Sequence, residues 1–151
     1  MEYFNNYIST ITSGKWMNYQ GRARRKEFWS FALVNIIIAI VLSIILAILS
    51  LIPGIGIIFR ILTNLLSLAI MIVMIPIAIR RLHDTNKSGW LMIVGAVLGV
   101  LVMIFSWFGP ALAVLTMILS LIALVWGIVL LVFYCTPGDV GPNQYGPDPK
   151  A

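Results

Sequence analysis

The stretch Trp90–Tyr134 reads WLMIVGAVLGVLVMIFSWFGPALAVLTMILSLIALVWGIVLLVFY, and no charged side chain interrupts it. The charge-free part of the chain is longer still, since it runs from Lys87 to Asp139. A water-soluble domain of 151 residues cannot place so much apolar surface in contact with water. The apolar fraction of 61% and the mean hydropathy of +1.04 agree with this interpretation. The sequence therefore predicts an integral membrane protein.

Four segments are long and apolar enough to cross a bilayer. A crossing helix needs about 20 apolar residues, because about 30 Å of hydrocarbon must be spanned by a backbone that satisfies its own hydrogen bonds. The segments are residues 29–52, 61–79, 90–108 and 111–134. Pro53-Gly54 and Gly109-Pro110 separate the members of each pair by turns. The predicted fold is all-α: one membrane domain, residues 1–151, with four transmembrane helices arranged as two helical hairpins.

The positions of lysine and arginine predict the orientation. With four crossings, Arg60 alone lies on one side of the membrane. The other side carries Lys15, Arg22, Arg24, Arg25, Lys26, Arg80, Arg81, Lys87 and Lys150. Basic residues in short loops stay in the cytoplasm during insertion, so both termini are expected there. The net charge of +5 then faces an anionic leaflet, and no nucleic-acid partner is expected.

This topology gathers three polar blocks on the cytoplasmic face, namely residues 19–29, 80–90 and 136–149. We call them together the polar cap. The third block belongs to a tail, residues 135–151, whose repeated Pro and Gly exclude helix and interior strand. We expect the tail to fold back onto the two basic blocks, with Asp139 or Asp148 meeting an arginine.

Two further patterns concern packing. In the amphipathic and basic N-terminal segment, residues 1–28, an apolar stripe at helical spacing consists of Tyr3, Phe4, Tyr7, Ile8 and Ile11. It suits a helix lying in the headgroup layer or one packed on the protein's own bundle. Gly95 and Gly99 form a Gly-x-x-x-Gly pair that lets another helix approach closely, and packing within the chain is favoured.

The three blocks also carry a resemblance. The sequences GRARRKEFW at residues 21–29, RRLHDTNKSGW at 80–90 and GPNQYGPDP at 141–149 resemble the signatures of the bacterial inner-membrane family catalogued as domain of unknown function 805. The resemblance covers essentially the whole chain. It implies a small multi-pass protein of the bacterial plasma membrane, and it implies no established activity, cofactor or catalytic residue.

The composition of the polar cap predicts a binding site for an anion. Arginine and lysine supply charge and charge-assisted hydrogen bonds. The candidate binding residues are Arg22, Arg24, Arg25, Arg80, Arg81, His83, Asp84, Lys87, Asn143 and Tyr145. Glu27 is expected to orient one guanidinium, and Asp84 is expected to fix the His83 ring and raise its affinity for a proton. The alternative is structural: the first block anchors the interface, and the second, taken as a short loop, supplies turn residues.

The favoured function is therefore binding of an anionic lipid headgroup, a phosphate-bearing ligand or an acidic protein partner. Membrane lipids are the expected partners, with a homo-oligomer or another membrane protein as a further option. Two alternatives stay open: a subunit of an oligomeric small-solute transporter or channel, and a membrane-interface enzyme using His83 and Asp84. No cofactor, metal site or catalytic residue is assigned, because the sequence lacks the usual clusters of His, Cys and carboxylate.

Overall fold

A computed structural model describes residues 2–14 and 17–149 of the chain. All regular elements in these residues are helical. They are α1 (Glu2–Thr12), α2 (Arg25–Leu49), α3 (Gly56–Asp84), α4 (Trp90–Phe105), a 3₁₀ segment (Ser106–Leu112) and α5 (Ala113–Cys135). Lys15 and Lys150, which were predicted to lie on the cytoplasmic side, are outside the described residues. The side chain of Tyr3, part of the predicted apolar stripe, is also outside them.

Among the described residues, three helices are long and apolar enough to cross a membrane. They are Arg25–Leu49, Gly56–Asp84 and the stretch Trp90–Cys135. The last is 46 residues long and breaks at Gly109, whose φ of 56° and ψ of −136° are not helical. Its two halves are in contact, because Trp126 Nε1 of α5 donates to the Leu91 carbonyl of α4 at 2.9 Å. The break lies at the predicted Gly109-Pro110 turn.

The buried core lies at one end of the helices, beside the polar cap. Phe28 and Phe31 of α2 pack there with Ile77 and Ala78 of α3 and with Ala23. Farther from the cap the large apolar side chains are exposed, as at Ile37, Ile72 and Leu124. In water such a surface would be unstable, but lipid chains solvate it at no cost.

Helix α3 extends beyond the predicted crossing segment and takes in part of the second polar block. The sequence interpretation placed Arg80 and the residues after it in a loop, and this was wrong, since the helix ends only at Asp84. The end is a Schellman cap: Asn86 N–H bonds the His83 carbonyl and Lys87 N–H bonds the Leu82 carbonyl. Asn86 adopts φ 55° at the position that requires a left-handed residue.

Helix α1 divides its apolar residues between two environments. The Tyr7 ring packs on the Phe31 ring of α2 at 5.2 Å between centroids. Phe4, Ile8 and Ile11 remain exposed on another face. The helix therefore both packs on the bundle and presents an apolar face outward.

Candidate functional site

A carboxylate with two guanidinium partners lies at the centre of the polar cap. Asp84 accepts Arg22 Nε on Oδ1 at 3.0 Å and Arg81 Nη1 on Oδ2. All three side chains are at most 1% exposed. An unpaired ion at such a site would be strongly destabilising, so the three charges depend on one another. We call Arg22, Arg81 and Asp84 the charge triad.

The other guanidinium donors of the charge triad bond to main-chain carbonyls. Arg22 donates from Nη1 at 2.6 Å and from Nη2 at 2.5 Å, and Arg81 donates from Nε at 3.1 Å and from Nη2. The acceptors are Gly141 and Asp139 for Arg22, and Tyr134 and Thr136 for Arg81. Every nitrogen of both guanidinium groups thus has an acceptor. The triad therefore fastens the tail to the bundle.

The tail passes close to the triad at Gly138. The Asp139 N–H donates to the Asp84 carbonyl at 2.8 Å. A Cβ at Gly138 would overlap the Asp84 carboxylate. Only glycine therefore allows the tail to follow this path without displacing the charge triad.

Beyond that point the tail forms a tight turn against the end of α3. Asn143 and Gly146 exchange main-chain hydrogen bonds of 3.0 and 3.1 Å, and Asn143 Oδ1 accepts Tyr145 N–H at 2.9 Å. Asn143 Nδ2 donates to the His83 carbonyl at 2.9 Å. The Tyr145 ring stacks on the His83 ring, with centroids 3.8 Å apart and planes 4° apart.

The predicted return of the tail onto both basic blocks is therefore confirmed. Asp139 does meet an arginine, although the contact with Arg22 uses its main-chain carbonyl rather than its carboxylate. Gln144 adds a side-chain hydrogen bond from Nε2 to Asn86 Oδ1 at 2.9 Å. Main-chain carbonyls of the tail are available to accept hydrogen bonds from arginine, because a turn rich in glycine and proline leaves them without helical partners.

The predicted pairing of Asp84 with His83 was wrong. Both carboxylate oxygens of Asp84 face arginines, while His83 Nδ1 lies 3.1 Å from the Gly21 carbonyl. Adjacent residues on a helix point in different directions, so Asp84 faces the charge triad and His83 faces the tail. This geometry removes the acid–histidine pair on which the enzyme alternative depended.

Glu27 behaves as the sequence interpretation expected. Its Oε1 accepts Arg80 Nη2 at 2.5 Å, with the Arg80 side chain 7% and the Glu27 side chain 23% exposed. The carboxylate thereby orients one guanidinium of the second polar block toward the first. This contact joins the start of α2 to the end of α3.

A cleft of about 560 Å³ opens beside this ion pair. One wall comes from Ser9 and Thr10 of α1 and from Ser13 just after it, and the rest comes mainly from the two basic blocks. The cationic lining residues are Arg22, Arg24, Lys26 and Arg80, with Glu27 and Pro149 completing the lining. We call this space the basic cleft. Its charge and its hydroxyl groups suit a phosphate or a similar oxyanion.

The predicted binding residues separate into four groups, two of which share Arg22. Arg24 and Arg80 line the basic cleft together with Arg22, which also belongs to the charge triad with Arg81 and Asp84. His83, Asn143 and Tyr145 join the tail to α3. Arg25 and Lys87 are exposed and do not line the cleft, and Lys87 Nζ lies 5.6 Å from the Phe133 ring centroid.

The sequence interpretation missed the part that α1 contributes. Ser9, Thr10 and Ser13 share the polar face opposite Ile8 and Ile11, so helical periodicity was the available signal. What the sequence did not indicate is which neighbour that polar face would meet. Lys26 was recognised as part of the basic cluster but was not assigned to the site.

Comparison with known proteins shows which proteins this chain is similar to. The profile of a family described as protein of unknown function (DUF805) matches residues 16–147. Inner membrane protein YhaI of Escherichia coli (strain K12) is 34% identical over 144 residues, which cover 95% of this chain and 94% of YhaI. Inner membrane protein YhaH of the same strain is 33% identical over 135 residues, 89% of each chain. No solved structure gives a significant match.

Proposed function

Because the chain belongs to the protein family of unknown function DUF805, with inner membrane proteins as relatives, we propose that it is a multi-pass inner-membrane protein that binds a phosphate-bearing anion. The ligand occupies the basic cleft. The observation that carries the proposal is the lining of that cleft, which among the described residues contains four cationic side chains and one carboxylate. That carboxylate, Glu27, is already hydrogen-bonded to Arg80. Arg22 is already bonded to Asp84 and to the tail, so Arg24, Lys26 and Arg80 supply the charge that faces the ligand.

The proposed topology has four crossings with both termini in the cytoplasm. The break at Gly109 and the contact of Trp126 with Leu91 support two separate crossings by α4 and α5. The basic blocks at residues 22–26 and 80–87 lie together at one end of the helices, with Arg60 on α3 far from them. Basic residues favour the cytoplasmic side, so the polar cap and the basic cleft face the cytoplasm in this proposal.

The surroundings of the cleft favour a lipid headgroup as the source of the phosphate. Trp90, 74% exposed, begins α4 beside the polar cap, and tryptophan prefers the headgroup layer. The exposed apolar face of α1, with Phe4, Ile8 and Ile11, suits the same depth. A cleft that shares a wall with this helix lies where lipid phosphates are concentrated.

The first test removes two cations from the cleft without touching the charge triad. Arg24 and Lys26 are exposed cleft residues, and the variant is Arg24→Ala with Lys26→Ala. The matched control, Arg25→Ala with Lys87→Ala, removes the same charge outside the cleft. Phosphatidylglycerol retained from vesicles of phosphatidylglycerol and phosphatidylcholine is measured by native mass spectrometry. We expect about a tenfold loss in the cleft variant, equivalent to about 1.4 kcal/mol, and little change in the control.

A second measurement separates a lipid from a soluble ligand. Inorganic phosphate is titrated into each variant in neutral detergent, and binding is followed by calorimetry. A lipid headgroup predicts weak phosphate binding together with strong retention of phosphatidylglycerol, whereas a soluble ligand predicts the reverse. If the cleft variant and its control lose both ligands equally, the basic cleft is not the binding site.

A further inference from the structure

A second site lies within the apolar part of the molecule, between the polar cap and Arg60. Two cavities of about 380 and 390 Å³ lie along α3 on the side of α4 and α5. Met71 and Gly99 line both of them, so the cavities are adjacent, and we call the two together the groove. We propose that this groove binds one acyl chain of a phospholipid whose phosphate lies at Arg60. This site is independent of the basic cleft.

The groove changes in polarity along its length. The cavity nearer Arg60 is lined in part by Asn64, Ser67 and Ser106. The cavity nearer the polar cap is lined mainly by methionine, alanine, glycine and aromatic side chains, among them Met71, Met74, Gly99, Trp126 and Tyr134. Trp126 Nε1 and Tyr134 OH already donate hydrogen bonds inside the bundle. The groove therefore matches an amphiphile with its polar end toward Arg60.

Arg60 supplies the charge complementarity at that end. Its Nη2 donates to the Ser106 carbonyl at 3.0 Å, and its guanidinium lies 4.6 Å from the Trp107 ring centroid. Ser106 is itself a groove residue. These contacts hold a cation beside the groove, in a neighbouring cavity that shares Asn64 with it, and there the other guanidinium nitrogens can face a phosphate. Methionine side chains below it adapt readily to a flexible ligand.

The dimensions distinguish an acyl chain from a helix. From Asn64 to Ala78, α3 rises about 21 Å at 1.5 Å per residue, and one leaflet contributes about 15 Å of hydrocarbon. Each 5 Å or so of a helix about 10 Å in diameter would fill the volume of one whole cavity. The groove is thus long enough for one leaflet's acyl chain and too narrow for a partner helix.

The glycine pair in α4 supports the same occupant. A Cβ at Gly95 would lie 3.1 Å from the Trp126 side chain, so Gly95 serves the packing of α4 on α5, as the sequence predicted. A Cβ at Gly99 would meet nothing within 4 Å. Gly99 therefore keeps the groove open rather than serving helix contact, and a larger side chain there would occupy the space without a clash.

The test is photocrosslinking in vesicles with a phospholipid that carries a diazirine in its acyl chain. In the native protein, Met71 and Met74 should carry more label than exposed positions of α2 such as Ile37. Gly99→Leu should reduce the label at both methionines by about tenfold, equivalent to about 1.4 kcal/mol. The control Val97→Leu adds volume at an exposed position of α4 outside the groove and should leave the labelling unchanged.

A second arm tests the headgroup. A diazirine-labelled diacylglycerol, which lacks phosphate, should label the groove less than the phospholipid does, and Arg60→Gln should abolish that preference. Circular dichroism checks that each variant is folded. Labelling of Met71 no stronger than that of Ile37, or equal labelling before and after Gly99→Leu, would overturn the proposal. Dimers crosslinked through α4 would also overturn it, since they would show a second copy in the groove.

Discussion

Asp84 is the residue on which the polar cap depends most. Its side chain is 1% exposed and bonds to the Arg22 and Arg81 side chains, which are 1% and 0% exposed. Asp84→Asn keeps the shape of the side chain and removes its charge, which leaves two buried guanidinium groups without a counter-ion. We expect the free energy of unfolding to fall by roughly 3–5 kcal/mol, measured by chemical denaturation in detergent.

Glu27→Gln is the matched control for that substitution. It also removes a carboxylate from an arginine, but the Glu27 side chain is 23% exposed. Partial access to water lowers the expected loss to about 1 kcal/mol. Equal losses for the two variants would show that Asp84 is not the centre of the charge network.

Gly138 provides a second prediction at the residue scale. Gly138→Ala would bring a Cβ into the Asp84 carboxylate, so the tail must leave its path or the triad must shift. We expect faster amide hydrogen exchange at residues 136–148 and a loss of about 1–3 kcal/mol. Val140→Ala, at a position 96% exposed, is the control and should not change exchange. Unchanged exchange in Gly138→Ala would mean that the tail is not held in this way.

The charge triad also shows where sequence reasoning reaches its limit. The predicted crossings and the positions of lysine and arginine placed Arg22, Arg81 and Asp84 on one face of the membrane, and the structure brings the three together. Their pairing did not follow, because Arg22 and Asp84 are 62 residues apart and any of several arginines could have met that carboxylate. Only the packing of α2 against α3 selects the partners.

At the scale of the element, the C-terminus of α3 decides where the second polar block lies. Hydropathy ends the crossing segment at Ile79, but the helix continues because Arg81 and Asp84 pair one turn apart. The Schellman cap then ends it at a residue in the left-handed region. A hydropathy pattern indicates which part of a segment lies in lipid, whereas the end of a helix is set by caps and side-chain pairs. The two therefore disagree at this boundary.

Asn86 allows a direct test of that helix end. Asn86→Val places a β-branched residue at φ 55°, which is strained, whereas Asn86→Gly suits that conformation. Both variants lose the hydrogen bond from Gln144, so their difference isolates the backbone effect. We expect Val to be less stable than Gly by about 1–2 kcal/mol, measured by thermal unfolding in detergent. Equal stability of the two variants would contradict the cap.

At the scale of the whole molecule, the burial pattern reverses that of a soluble protein. Arg81 is among the largest fully buried side chains of the described residues, while Ile37 and Leu124 are about 60% exposed. The sequence predicted this exposure, because an uninterrupted apolar surface is expected in lipid. The position of α1 over the basic blocks was not predictable, since its stripe suited a lipid surface and a protein surface equally.

The proposed orientation makes the last prediction, which concerns the chain as a whole. Cys135 is the single cysteine and is exposed, so Cys135→Ser gives a background into which Ser88→Cys or Ala111→Cys is introduced. The two positions lie at opposite ends of α4. Positive charges around residue 88 should hold that end in the cytoplasm. A membrane-impermeant maleimide should therefore label Ala111→Cys in intact spheroplasts and Ser88→Cys only after permeabilisation, with labelling read by mass shift. The opposite pattern would place the basic cleft outside the cell, and an equal pattern would mean that α4 does not cross the bilayer.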